Sequence, residues 1–237
     1  MAAVFEVNGE EMNFFCGGSL IHGSLVMTAA HCVQNKDPKT MKVRAGEWDA
    51  KSLSEPIPHQ DRRVAQVVIH PEFNQANLFN DIAILVVDTP FVGSDSVDVV
   101  CLPDPRENRI DTDKCIATGW GQDQYENGKY QTTLRQVGLP MVNKEECQAR
   151  LRTTRLGKYF KLHESFVCAG GIPEEDTCTG DGGGPLVCPL SVEPDRYLQM
   201  GIVSWGIGCG NSTPAVYTNV QHFMPWLTTE FRKLIGS

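Results

Sequence analysis

Thr179-Gly180-Asp181-Gly182-Gly183-Gly184-Pro185 decides how this chain is read. Position 182 is its centre, a glycine with no side chain and so no hydroxyl. A hydroxyl is the group that attacks a carbonyl and becomes the acyl carrier in nucleophilic acyl transfer. Neither neighbour, Asp181 or Gly183, substitutes for it. Glycine keeps its amide, so the backbone N–H groups of Gly180 and Gly182 remain candidates for an oxyanion-type hole. Upstream lie Thr28-Ala29-Ala30-His31-Cys32 and Asn80-Asp81-Ile82-Ala83-Ile84-Leu85. A lone histidine is more often structural. The order of histidine, acid and glycine turn is what raises His31 and Asp81 together.

Around these segments the chain is a series of short β-like runs separated by Gly, Pro, Asn or Asp. Met41-Lys42-Val43-Arg44-Ala45, residues 64–69, residues 82–87 and Met200-Gly201-Ile202-Val203-Ser204-Trp205 are examples. Their fairly even spacing predicts an all-β sandwich or barrel. Two helices stand out. Asn143 is placed to cap one from about Lys144, with Glu145 and Glu146 in its first turn and Gly157 beyond its end. The other runs from about His222 to Leu234, with Phe223, Leu227, Phe231 and Leu234 on one face and Pro225 in its first turn.

The length of 237 residues suits one large all-β domain. A net charge of −8 argues against nonspecific nucleic-acid binding, which needs clustered Lys and Arg. No apolar run reaches the ~18 residues of a membrane-spanning helix. Residues 1–7 read as a strand and not as a signal peptide. Nine cysteines, with no Cys-x-x-Cys spacing, favour disulfides and an oxidising, extracellular compartment over a metal site. Nine is odd, so one cysteine is free or pairs outside this chain.

The quoted segments resemble the histidine, aspartate and nucleophile motifs of chymotrypsin-like serine proteases. Ala117-Thr118-Gly119-Trp120-Gly121 and Ser204-Trp205-Gly206 fit the same family. The resemblance covers essentially the whole chain and implies the two-barrel, trypsin-like fold with a C-terminal helix. It makes His31, Asp81 and Gly182 a degenerate triad with no intact catalytic set. It places Asp176 at the floor of a substrate-type pocket with Ser204, Trp205, Gly206 and Ala215; the last stands where the family usually has glycine, and its methyl is expected to narrow the pocket. It implies four disulfides, Cys16–Cys32, Cys115–Cys188, Cys147–Cys168 and Cys178–Cys209, and leaves Cys101 to bond outside this chain, or free. Active members begin with an inserted N-terminus that pairs with the aspartate at Asp181. By that comparison the chain lacks its extreme N-terminus.

Glycine at position 182 in an otherwise kept frame is similar to the clip-domain serine protease homologues of arthropods, the prophenoloxidase-activating cofactor type. Arg44-Ala45-Gly46-Glu47-Trp48-Asp49, Thr154-Arg155-Leu156-Gly157 and Gly206-Ile207-Gly208-Cys209-Gly210 fit that group. The resemblance implies a secreted haemolymph protein with a clip domain upstream, held through Cys101. Its implied partners are prophenoloxidase or phenoloxidase and an active clip-domain protease, with a homo-oligomer as a further candidate assembly. Two rival readings stay open: a trypsin-like endopeptidase inactivated by an engineered Ser-to-Gly change, and a peptide-binding decoy. No cofactor is required, though the loop of Glu47 and Asp49 binds calcium in some relatives, which makes Glu47 the candidate metal ligand. Asn211 in Asn211-Ser212-Thr213 is the glycosylation candidate. Arg150, Arg152, Arg155, Lys158 and Lys161 form a basic stretch, read as a solvated helix face or a docking surface.

Overall fold

Alternation builds the first half of the chain. In β4 (Met41–Ala45) the first, third and fifth residues are buried while Lys42 and Arg44 are half-buried on the other face, as expected for a strand with one wet side. In β6 (Ala83–Val87) nearly every residue is buried. With β1 (Ala2–Asn8), β2 (Glu11–His22), β3 (Leu25–Thr28) and β5 (Gln60–Ile69) these strands close a barrel in the order β1-β2-β3-β6-β5-β4. Val4, Leu25, Met27, Val43, Ile84 and Leu85 fill it, all fully buried.

The structure, a computed structural model, describes residues 1–51, 57–104, 106–121, 131–173, 181–208 and 212–236. Its second half is a barrel-like sheet of seven strands. These are β7 (Ile116–Gly119), β8 (Arg135–Gly138), β9 (Met141–Val142), β10 (Phe166–Ala169), β11 (Pro185–Pro189), β12 (Tyr197–Trp205) and β13 (Ala215–Asn219), ordered β8-β7-β11-β12-β13-β10-β9. Leu139, Leu186, Tyr217 and the Cys115–Cys188 disulfide occupy its core. Cys16–Cys32 and Cys147–Cys168 are also bonded, and Cys101 is a free, half-buried thiol. This is the chymotrypsin-like all-β fold. No helix among the described residues is long and apolar enough to cross a membrane.

In α2 (Lys144–Arg152) Asn143 Oδ1 accepts the Glu146 amide at 2.9 Å, while Cys147 and Leu151 are buried. The closing helix α3 (Val220–Ile235) starts earlier than the sequence suggests, because Asn219 caps it through the His222 amide at 3.2 Å. Pro225 therefore lies in the second turn and not the first. Pro225 has no N–H to give the Gln221 carbonyl, and its own position is exposed. Val220, Phe223 and Leu227 of α3 are buried in the first barrel's core, so the chain's end returns to its beginning.

Candidate functional site

The centre lies where the two halves meet. His31 sits in the single-turn helix α1 (Ala30–Val33), whose start has no side-chain cap. The His31 amide is taken instead by Asp81 Oδ1 at 2.8 Å. Asp81 Oδ2 accepts from His31 Nδ1 at 2.7 Å and from the Ser204 hydroxyl at 2.5 Å. The Thr218 hydroxyl donates to the Asp81 carbonyl at 2.8 Å. Asp81 is fully buried, and a buried carboxylate needs such donors to stay charged. The bend before it depends on Asn80, at φ 60°, a region that asparagine tolerates better than most residues. Asn80 donates its side-chain N–H to the Glu72 carbonyl at 2.9 Å, and its amide reaches Ser165 Oγ at 3.2 Å.

The glycine turn brings position 182 to the free side of the imidazole. A Cβ at Gly182 would stand 3.2 Å from His31 Nε2 and 3.7 Å from Cys16 Sγ. The turn is pinned on both sides, by the Gly17 amide to the Gly182 carbonyl at 2.8 Å and the Gly183 amide to the Val203 carbonyl at 2.9 Å. Gly183, at φ +79°, admits no other residue, since a Cβ there would lie 2.3 Å from Thr28 Oγ1 and 2.5 Å from the Gly17 carbonyl. Asp181 folds back between Gly119 and Gly121, accepting the Gly121 amide at 2.9 Å. A Cβ at Gly119 would lie 1.8 Å from that carboxylate, which explains the glycines on either side of Trp120.

Of the pocket residues, Ser204 turns its hydroxyl to Asp81 and so serves the triad frame. Trp205 packs edge-on to Phe166 at 5.8 Å and Phe160 at 6.2 Å, and its buried indole N–H meets no acceptor among the described residues. Gly206 is exposed, and Ala215 is buried at the start of β13, paired with Ala169. Asp176, Gly180, the Cys178–Cys209 pair and Asn211 lie outside the described residues. Thr218, Asn80 and Ser165 were not singled out from the sequence. A polar residue inside an apolar strand, as in Ala215-Val216-Tyr217-Thr218, is the one signal that marks Thr218.

Cys16, His31 and Cys32 bring potential metal ligands within 4.8 Å, but both sulfurs are spent in their disulfide. Glu47 also fits a metal poorly among the described residues. Its Oε2 lies 3.0 Å from Arg44 Nη1 and 3.2 Å from His59 Nδ1, and Oε1 accepts the Trp48 amide at 3.1 Å. Calcium takes six to eight oxygens, whereas Glu47 faces nitrogen donors. Within the basic stretch Arg150 binds Glu146 and points to the Gly171 and Ser212 carbonyls, and Arg152 binds the Phe160 carbonyl at 2.8 Å. Those two cations therefore hold the local structure.

A one-turn histidine helix, a buried aspartate and a glycine turn, set between two β barrels, define a serine protease frame. A family model described as Trypsin matches residues 1–227, and the chain belongs to that family. Within it the chain falls among the clip-domain protease homologues. It is 50% identical to phenoloxidase-activating factor 2 of Galleria mellonella, over 92% of this chain and 73% of that protein. It is 43% identical to inactive CLIP domain-containing serine protease A3 of Aedes aegypti, over 90% of this chain and 45% of that protein. With inactive CLIP domain-containing serine protease A28 of Anopheles gambiae the identity is 42%, over 91% of this chain and 55% of that protein. The chain thus spans about half to three-quarters of the length of these relatives.

Proposed function

We propose that this chain is the protease-like part of a secreted, non-catalytic cofactor that supports prophenoloxidase activation. The observation that carries the reading is position 182. His31 Nε2 faces a residue with no hydroxyl, so the imidazole has nothing to deprotonate. Removing the nucleophile from a triad of this type costs about a millionfold in turnover. The names of relatives at 42–50% identity, a phenoloxidase-activating factor and two inactive clip proteases, support the same role. In this reading the frame of His31, Asp81 and Ser204 is retained because it holds the two barrels in register. Cys101 would tether an upstream clip domain. The test is reconstitution from prophenoloxidase, its activating protease and the full-length homologue, added or omitted. The expected result is that phenoloxidase activity depends on the homologue while the homologue cuts nothing. Equal activity with and without it overturns the reading and moves a decoy role ahead.

A further inference from the structure

A row of residues crosses the outer face of the first barrel and takes no part in the centre described above. Register sets Phe14 opposite Phe5, Phe5 opposite Lys42, and Lys42 opposite Arg63. Directly opposed residues of neighbouring strands share a face. Two aromatic rings and two cations therefore form one line across β2, β1, β4 and β5, roughly 15 Å long at about 4.8 Å per strand.

Each end of the line opens into a hollow. At the aromatic end a cavity of about 310 Å³ is lined by Phe5, Phe14, Ala50, Trp120 and Thr132, with Glu47 in its wall. Trp120 is 4% exposed, and its indole N–H has no acceptor among the described residues. Buried donors are seldom left so. At the cationic end a hollow of about 410 Å³ lies among Lys42, Arg62, Arg63, Asp61 and Asp88. Lys42 and Arg63 face one another as like charges, an arrangement that weakens a β ladder. Neither side chain makes an ion pair or hydrogen bond among the described residues, though the charge of Lys42 acts on Asp61 across the hollow. Arg62 lies over the Phe91 ring and binds only neutral oxygens, those of Pro90, Asp61 and Gln60. Asp61 accepts from Arg44 through bonds of 2.7 and 3.0 Å, although Arg44 is shared with Glu47. Three cations thus stand beside two carboxylates, Asp61 and Asp88, which leaves the hollow cationic by one charge in a chain of net charge −8.

We propose that this face docks an acidic peptide segment of a partner protein. The partner's carboxylates lie against Lys42 and Arg63, and an apolar side chain enters the cavity. The proposal deepens the cofactor reading and rests on it only for the expectation that the chain works by holding a partner.

The test is fluorescence anisotropy on the full-length protein with a labelled peptide carrying one Phe flanked by two Asp on each side. A control peptide has Asn for Asp. Saturable binding that weakens as salt rises is expected. It should fall about tenfold or more in the double variant Lys42→Gln, Arg63→Gln. Equal affinity of the Asn control, unchanged affinity of the double variant, or no binding up to about 1 mM peptide overturns the proposal. A concentration-dependent dimer that the double variant abolishes would assign the face to a second copy, and also overturns it. No phenoloxidase enters this assay, so its failure leaves the cofactor reading standing, and failure of the reconstitution leaves peptide docking standing.

Discussion

At the residue scale Asp81 keeps the donors that tie it to His31, while position 182 is glycine and carries no hydroxyl. Asp81 is held by His31, Ser204 and the α1 amide, so the frame is a buried polar network that stabilises with or without chemistry. No turnover of Arg or Lys ester and amide substrates is expected, and a serine-directed phosphonate should leave no adduct by mass spectrometry. Gly182→Ser should recover little. Its Cβ enters 3.2 Å from His31 Nε2, so the imidazole must retreat before the hydroxyl takes a working angle. Misplacement of that kind leaves turnover at least about a hundredfold below an active family member; near-normal turnover would show that only the nucleophile had been lost. Ser204→Ala tests the structural side. It removes one of two donors to a fully buried carboxylate oxygen and should lower unfolding free energy by about 1–2 kcal/mol in urea titrations.

At the element scale the docking of α3 depends on His70, which lies just past β5. Its ring packs edge-on to Phe223 at 5.0 Å and Trp226 at 5.1 Å, and its Nδ1 accepts the Glu72 amide at 3.2 Å. Burial lowers the His70 pKa; Glu72 works against that, and His222 adds to it. A proton on Nδ1 would remove the acceptor. Because the folded-state value lies below the unfolded one, the stabilisation is complete above the ordinary histidine value of about 6.5 and is lost as pH falls through it. Melting temperature should therefore drop between about pH 7 and pH 5. His70→Gln should flatten that slope whatever it does to the level, and an unchanged slope would place the titrating group elsewhere. Asp61 adds to the loss at lower pH. Burial opposes its ionisation, but the bonds and charge of Arg44 outweigh burial and hold its carboxyl below the ordinary value.

At the scale of the whole molecule, disulfides close loops of very different length inside each half. Cys115–Cys188 spans 73 residues and Cys16–Cys32 spans 16. The chain-entropy estimate gives about 4 kcal/mol for the longer loop and about 3 kcal/mol for the shorter. Paired Cys→Ala substitution should thus be costlier at 115 and 188, as compared by urea midpoints; the reverse order would mean that local packing dominates. Cys101 belongs to the same scale, since its carbonyl accepts the Gln199 amide at 2.9 Å while its thiol joins no disulfide among the described residues. Peptide mapping of the full-length protein without reduction should find Cys101 joined to a peptide outside residues 1–237. A bridge within the chain would overturn the tether.

The sequence by itself determined the all-β class, the strands with clean alternation and the missing hydroxyl, because these depend on residue type and on neighbours one or two places away. Asn143 was legible as a cap for the same reason. Pro225 was misplaced by a turn because the helix start is set by the Asn219 side chain bonding three residues on, a local choice that competes with the apolar period. Only the tertiary structure decided that Ser204 supports Asp81, 123 positions away, and that Gly119 and Gly121 are bare to admit Asp181. The line of Phe14, Phe5, Lys42 and Arg63 belongs to the same class. Its members are scattered over four strands, and strand register alone makes them neighbours.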